Sequence, residues 1–205
     1  TTLGETLGDS VTMTWLKADV MVNSGYLVGS AIFLSALIVL VAVQISAKRF
    51  HPFLYWSVIV ASTTAGTAVA DFATRSLGIG YTGVSLILFA CLMTVLASWY
   101  RSEGSISVDT VSTPRVEAFY WAAITFSQTL GTALGDWIAD TGLGYGGGAL
   151  VFGAGLAVIA ALYYWTSVSR VLLFWAAFML TRPLGATLGD LLDKPLDHGG
   201  LALSR

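Results

Sequence analysis

The sequence predicts an all-α membrane protein, a polytopic bundle of tandem two-helix repeats related by an axis along the membrane normal. Three observations carry this. Apolar residues make up 56% of the 205 residues, only 11% are charged, and mean hydropathy is +0.77. A soluble domain carries about 25% charged residues, so this chain has too few to cover a water-facing surface. Second, six apolar runs are each close to the ~20 residues that cross a bilayer core. Third, one register recurs. Aligning Asp71, Asp136 and Asp190 also aligns Trp56, Trp121 and Trp175, then Gly66, Gly131 and Gly185, then Ala70, Gly135 and Gly189. A fixed internal period of this kind defines a repeat architecture.

Taken in order, the chain opens on Thr1–Asp9, where Gly4, Gly8 and Asp9 occupy the same register positions. Nine residues give a helix of roughly 13 Å, too short to span. The complete spans expected are Tyr26–Ala47, Pro52–Ala70, Tyr81–Tyr100, Val116–Gly135, Tyr145–Thr166 and Val171–Gly189. Gly199–Arg205 reads as the start of a further span. The expectation is one integral membrane domain over 1–205, with repeats at approximately 1–47, 48–100, 115–168 and 170–205. That is six full spans plus truncated first and last helices, from a parent of eight. No run reads as a signal peptide. Gly78-Ile79-Gly80 and Gly142-Leu143-Gly144 supply the backbone freedom of tight turns between helices. Neither is a dinucleotide fingerprint, since no strand precedes it.

Loop charge sets the expected orientation. Connections after the even-numbered helices, counting the opening stub as the first, carry Lys48, Arg49, Arg101, Arg115 and Arg170. The other side carries Lys17, Arg75 and Lys194, outnumbered by aspartates. Basic short loops mark the cytoplasmic side, which places the repeated aspartates near outer helix ends. Trp56, Trp121 and Trp175, with Trp99-Tyr100 and Tyr164-Trp165, read as a cytoplasmic aromatic belt. Cys91 reads as a buried, inert thiol. A net charge of −2 with no basic cluster excludes nucleic acid as a partner.

The odd helices carry two stripes. Gly4/Gly8, Gly66/Ala70, Gly131/Gly135 and Gly185/Gly189 are small-xxx-small pairs that let helices approach closely in lipid. Beside them, at helical spacing of four, run Thr1, Glu5, Asp9; Thr63, Thr67, Asp71; Gln128, Thr132, Asp136; and Arg182, Ala186, Asp190. Polar groups in lipid must face protein or water, so these stripes are expected to converge on the bundle interior. Each aspartate is expected to end its helix, where the macrodipole disfavours it unless a cation compensates. Arg182 lies deep in its span and calls for a partner, Glu5 or an aspartate across the bundle. Pro183 is expected to loosen the helix there.

These features resemble an uncharacterised family of bacterial inner-membrane proteins with four tandem repeats, each of two transmembrane segments and a tryptophan. Tyr55-Trp56, Tyr120-Trp121, Phe174-Trp175, the Gly–Asp endings, Arg101-Ser102-Glu103-Gly104 and Thr181-Arg182-Pro183-Leu184-Gly185 carry the resemblance. It implies the fold and a bacterial inner-membrane location, and no activity.

From the residues, the leading expectation is a transporter or channel-like protein for a small cation, a divalent metal or protons, using Glu5, Asp9, Asp71, Gln128, Asp136, Arg182 and Asp190. Inward carboxylates and hydroxyls offer hard oxygen ligands, whereas His51 and His198 read as solvated, so no soft-metal site is expected. The alternative is a structural or accessory subunit of a larger membrane complex. Expected partners are the lipid bilayer, a cation, and a membrane protein or a second copy of the chain; no cofactor is expected. An enzyme is not expected. Thr-Leu-Gly-Asp only half resembles the Gly-x-Gly-Asp of intramembrane aspartyl proteases, and no lysine lies within a span to hold retinal.

Overall fold

The helices begin and end where local chemistry dictates. In the computed structural model, which describes residues 3, 7, 24–47, 49–111, 113–196 and 199–203, the long elements are six α-helices. They are α1 (Ser24–Ser46), α2 (Pro52–Asp71), α3 (Gly80–Glu103), α4 (Pro114–Ile138), α5 (Gly144–Trp165) and α6 (Arg170–Asp193). Proline opens α2 and α4, where its missing N–H costs nothing. The Thr113 hydroxyl caps α4 by accepting from the Val116 amide, and Ser169 does the same for Leu172 in α6. Gly104, left-handed at φ 73°, closes α3.

Five helical stretches among the described residues are long and apolar enough to cross a membrane. One of them, Pro114–Trp165, runs for 52 residues and includes both α4 and α5. The chain turns there through a π-helical segment, Ala139–Leu143, with Gly142 at φ 91° and Gly144 at φ 64°. A side chain would be strained at either angle. Contacts to α6 fix the directions. Gly131 and Gly135 of α4 lie against Arg182 and Ala186, so α4 and α6 run parallel. Gly148 and Gly155 of α5 lie against Thr187 and Leu180, so α5 runs antiparallel to both.

In the bundle α4 is central, packed on α2, α3 and α6. The second helix of each pair leans on the first helix of the next. Thus α1 packs on α2, α3 on α4, and α5 on α6, more extensively than α3 and α5 pack on their own hairpin partners. The α2, α4 and α6 backbones approach closely. A methyl group at Gly66 would lie 3.0 Å from the Thr129 amide nitrogen, and one at Gly135 would lie 3.2 Å from the Ala186 Cβ. Gly185 and Gly189 are buried on α6, while Gly4 and Gly8 lie outside the described residues.

Three expectations are corrected here. Only α2 ends at its aspartate, and even there the helical path goes on. A π-helical turn, Phe72–Ser76, follows Asp71, α4 continues to Ile138, and α6 to Asp193. The extra turn keeps residues four apart stacked, which the next section uses. The aromatic belt is only partial: Trp56 is 62% exposed, but Trp121 and Trp175 are each 2% exposed and Trp99 is fully buried. Trp175 donates its Nε1–H to the Ile106 carbonyl at 3.0 Å and meets Trp99 edge-on, because α3 and the segment after it cover this end of α6. Pro183 lies inside α6, which is continuous through it. Cys91 is partly exposed on α3 rather than buried.

Glycines in open positions give an internal control on packing. Gly146 and Gly153 of α5 have nothing within 4 Å of where a Cβ would stand. Alanine at either is expected to stabilise by about 0.5 kcal/mol through reduced unfolded-chain entropy. Thermal unfolding of the purified protein in detergent checks this.

Candidate functional site

The polar stripes are buried. Thr63, Thr67, Asp71, Gln128, Thr132, Arg182, Ala186 and Asp190 are all buried in the bundle, and Asp136 is partly so. Because α2, α4 and α6 present them at matched heights, residues distant in sequence meet. The Thr67 and Thr132 hydroxyls, from positions equivalent in the register, lie 3.5 Å apart.

Arg182 sits at the centre, 1% exposed. Its Nη2 donates to the Thr67 hydroxyl at 2.7 Å, the Thr132 hydroxyl at 2.8 Å and the Thr63 carbonyl at 3.4 Å. One guanidinium thus joins α2, α4 and α6. Of the acidic partners expected from the sequence, Glu5 or an aspartate across the bundle, Glu5 and Asp9 lie outside the described residues. Hydrogen bonds to a charged group contribute about 1.5–3 kcal/mol each. Thr67→Val and Thr132→Val, near-isosteric and lacking the acceptor, are each expected to lower stability by about 2 kcal/mol on that scale. Thr187→Val, whose hydroxyl bonds only carbonyls of its own helix among the described contacts, should cost less. Thermal unfolding compares the three.

One turn further toward the C-terminal ends of these helices, two of the three repeated aspartates share a cation. Arg75, on the turn after α2, places Nε 3.2 Å from Asp71 Oδ1 and Nη2 3.8 Å from Asp136 Oδ2. Asp190 pairs with Lys194 at 3.5 Å. Both Asp71–Arg75 and Asp190–Lys194 are four-residue spacings, the separation at which side chains of one helical face meet. Asp136 has Asp140 at that spacing instead and is reached from the neighbouring helix. Turn tyrosines join the cluster. Tyr81 lies within electrostatic range of Asp136, Arg75, Asp140 and Asp71, and Tyr145 within range of Asp190, Lys194 and Asp136. The carboxylates therefore gather at one end of the bundle and do not scatter around its perimeter.

In the sequence Arg75 and Lys194 read only as loop charges. The i,i+4 spacing was the signal that could have paired them. Gln128 belongs to the stripe, yet its Oε1 is buried without a hydrogen-bond partner among the described residues. Between this polar half and the opposite end lies an apolar layer that includes Val58, Trp121 and Ile124. Among the described residues no group of three or more His, Cys, Asp or Glu could hold a metal ion.

Fold and site together define a helical, apolar, membrane-like protein with a buried polar seam. The family model described as Repeat of Unknown Function (DUF347) matches residues 1–50, 54–105, 119–169 and 173–205, and the chain belongs to that family. No curated protein and no solved structure matches it.

Proposed function

We propose that the protein is a multi-pass bacterial inner-membrane protein that handles a small cation at carboxylates near the outer ends of its helices. In this reading α1 to α6 are six spans, α4 and α5 counting separately because they run in opposite directions. The repeats are related by an axis along the membrane normal, and the Arg49, Arg101, Arg115 and Arg170 connections face the cytoplasm. One observation carries the reading: carboxylates from two helices, Asp71 and Asp136, converge on a single positive charge, that of Arg75. Such a place suits a cation, and buried charge in a membrane is expensive unless it serves a purpose. Arg75 is 39% exposed on its side chain and is the internal cation that an incoming one would displace.

The test is cation or proton flux in proteoliposomes. Wild type should exceed Asp71→Asn and Asp136→Asn by at least ten-fold, and Arg75→Gln should alter the rate in its own direction. Equal flux in all four proteins rejects the proposal.

A structural or accessory subunit of a larger membrane complex is the second reading. The described ion pairs and the Arg182–threonine bonds favour it, since they meet part of the polar seam's bonding from within. Isolation of a stable stoichiometric partner, with no flux, would select it.

A further inference from the structure

The end of the bundle opposite the carboxylates holds a cavity of about 420 Å³, where α1 ends and α2 and α4 begin. That volume falls within the range of small-ligand sites. Part of its wall is aromatic. The Tyr55 ring lies 5.6 Å from Trp121 and 5.8 Å from Phe50, and the Tyr55 and Tyr120 hydroxyls are hydrogen-bonded at 2.9 Å.

Its polar lining has two charges of opposite sign. Glu117 Oε1 accepts from Gln44 Nε2 at 3.2 Å and from Trp121 Nε1 at 3.3 Å, which holds the carboxylate in place. No protein contact to its second oxygen is described. Gln44 Oε1 is buried beside it without a hydrogen-bond partner among the described residues, a second acceptor. A carboxylate and an amide oxygen among aromatic rings suit an ammonium group that carries N–H donors. Arg49 lines the same cavity and makes no ion pair among the described residues. It suits an anion, and a guanidinium binds phosphate well.

Two apolar grooves border this cavity, each sharing one lining residue with it. One, between α1 and α4, runs past Leu34, Ile38, Ile45 and Phe126 and shares Trp121 with it. The other, along α1, shares Ala47. A cavity with charges of both signs beside an apolar groove is complementary to a phospholipid, headgroup and chain together. We propose that this cavity binds the headgroup of an ammonium-bearing phospholipid, with the ammonium at Glu117, the phosphate at Arg49 and an acyl chain along the α1–α4 groove. This rests on the helices spanning a membrane and is independent of cation handling at Asp71 and Asp136.

Native mass spectrometry of the full chain in detergent tests it. The probes are phosphatidylethanolamine, phosphatidylglycerol and soluble phosphoethanolamine at equal concentration. Phosphatidylethanolamine adducts should exceed phosphatidylglycerol adducts about ten-fold, a difference of ~1.4 kcal/mol. Soluble phosphoethanolamine should give almost none. Glu117→Gln, which keeps the Oε1 acceptor, should erase the preference. Arg49→Gln, at an exposed position outside the helices, should reduce both lipids several-fold. Equal retention of the two lipids by wild type overturns the proposal, as does a preference that survives in Glu117→Gln. Soluble phosphoethanolamine binding as well as the lipid would assign the cavity to a water-soluble zwitterion and overturn the lipid. Should Glu117→Gln fail to fold, unchanged lipid binding by Arg49→Gln is decisive against it.

Discussion

Gly131→Ala is expected to unfold the protein at a far lower temperature than wild type. An added Cβ would lie 2.2 Å from Arg182 Cγ, 2.5 Å from Arg182 Cβ and 3.1 Å from Pro183 Cδ. None of these atoms is the free end of a flexible chain. Arg182 is held by Thr67 and Thr132, and Pro183 is part of its own backbone ring. Relief must come from separating α4 and α6, and overpacking of a tight interior costs about 3 kcal/mol at the upper end of its usual range. Because α6 would carry Arg182 away from two hydroxyls, part of the hydrogen-bonding in the seam is lost as well. Thermal unfolding in detergent should show a loss several times larger than that for Gly66→Ala, whose nearest contact is 3.0 Å. Equal behaviour of Gly131→Ala and the open-site variant Gly153→Ala would refute the close α4–α6 contact.

The second large effect is at Arg75. Replacing it with glutamine leaves the Asp71 and Asp136 carboxylates with one cation fewer. Removing one partner of a fully buried pair costs about 3–5 kcal/mol. Arg75 is partly exposed, so solvent screening brings the expected loss nearer ~2 kcal/mol. The informative comparison is a double-mutant cycle. Asp71→Asn placed on top of Arg75→Gln should recover part of the loss, because it removes a carboxylate that now lacks its guanidinium. Strict additivity of the two changes would mean that the 3.2 Å contact carries no energy.

Much of the fold was legible because a membrane allows so few solutions. Backbone groups in lipid must be satisfied within a helix, so an apolar run of sufficient length has little choice. All six runs, from Tyr26–Ala47 to Val171–Gly189, correspond to helices, with ends shifted by a few residues. Beyond Asp71 and Asp190 the path runs on to Arg75 and Lys194, which meet these acids four residues away. Burial of individual aromatic side chains was less legible. Trp56, Trp121 and Trp175 are equivalent in the register, yet one is exposed and two are buried, because what covers a side chain depends on the neighbouring helices. The seam itself was readable from spacing, including Arg182, but its hydroxyl partners were not, since Thr67 and Arg182 are 115 residues apart. The Gln44–Glu117 contact had no local signal of any kind across 73 residues.

The overlap of α1 on α2, α3 on α4 and α5 on α6 determines where this polypeptide can be divided. Each helix pair that touches most is joined across a boundary between units, so an excised unit would leave both of its faces bare. A break in the short connection around Leu77–Ile79 would instead leave α1 with α2 in one piece and α3 to α6 in the other. Co-expressed halves split there should reassemble in the bilayer, whereas halves split between Ser46 and Pro52 should be degraded. During synthesis the same arrangement means that, among the described helices, α1 meets its most extensive contact surface only once α2 has been made.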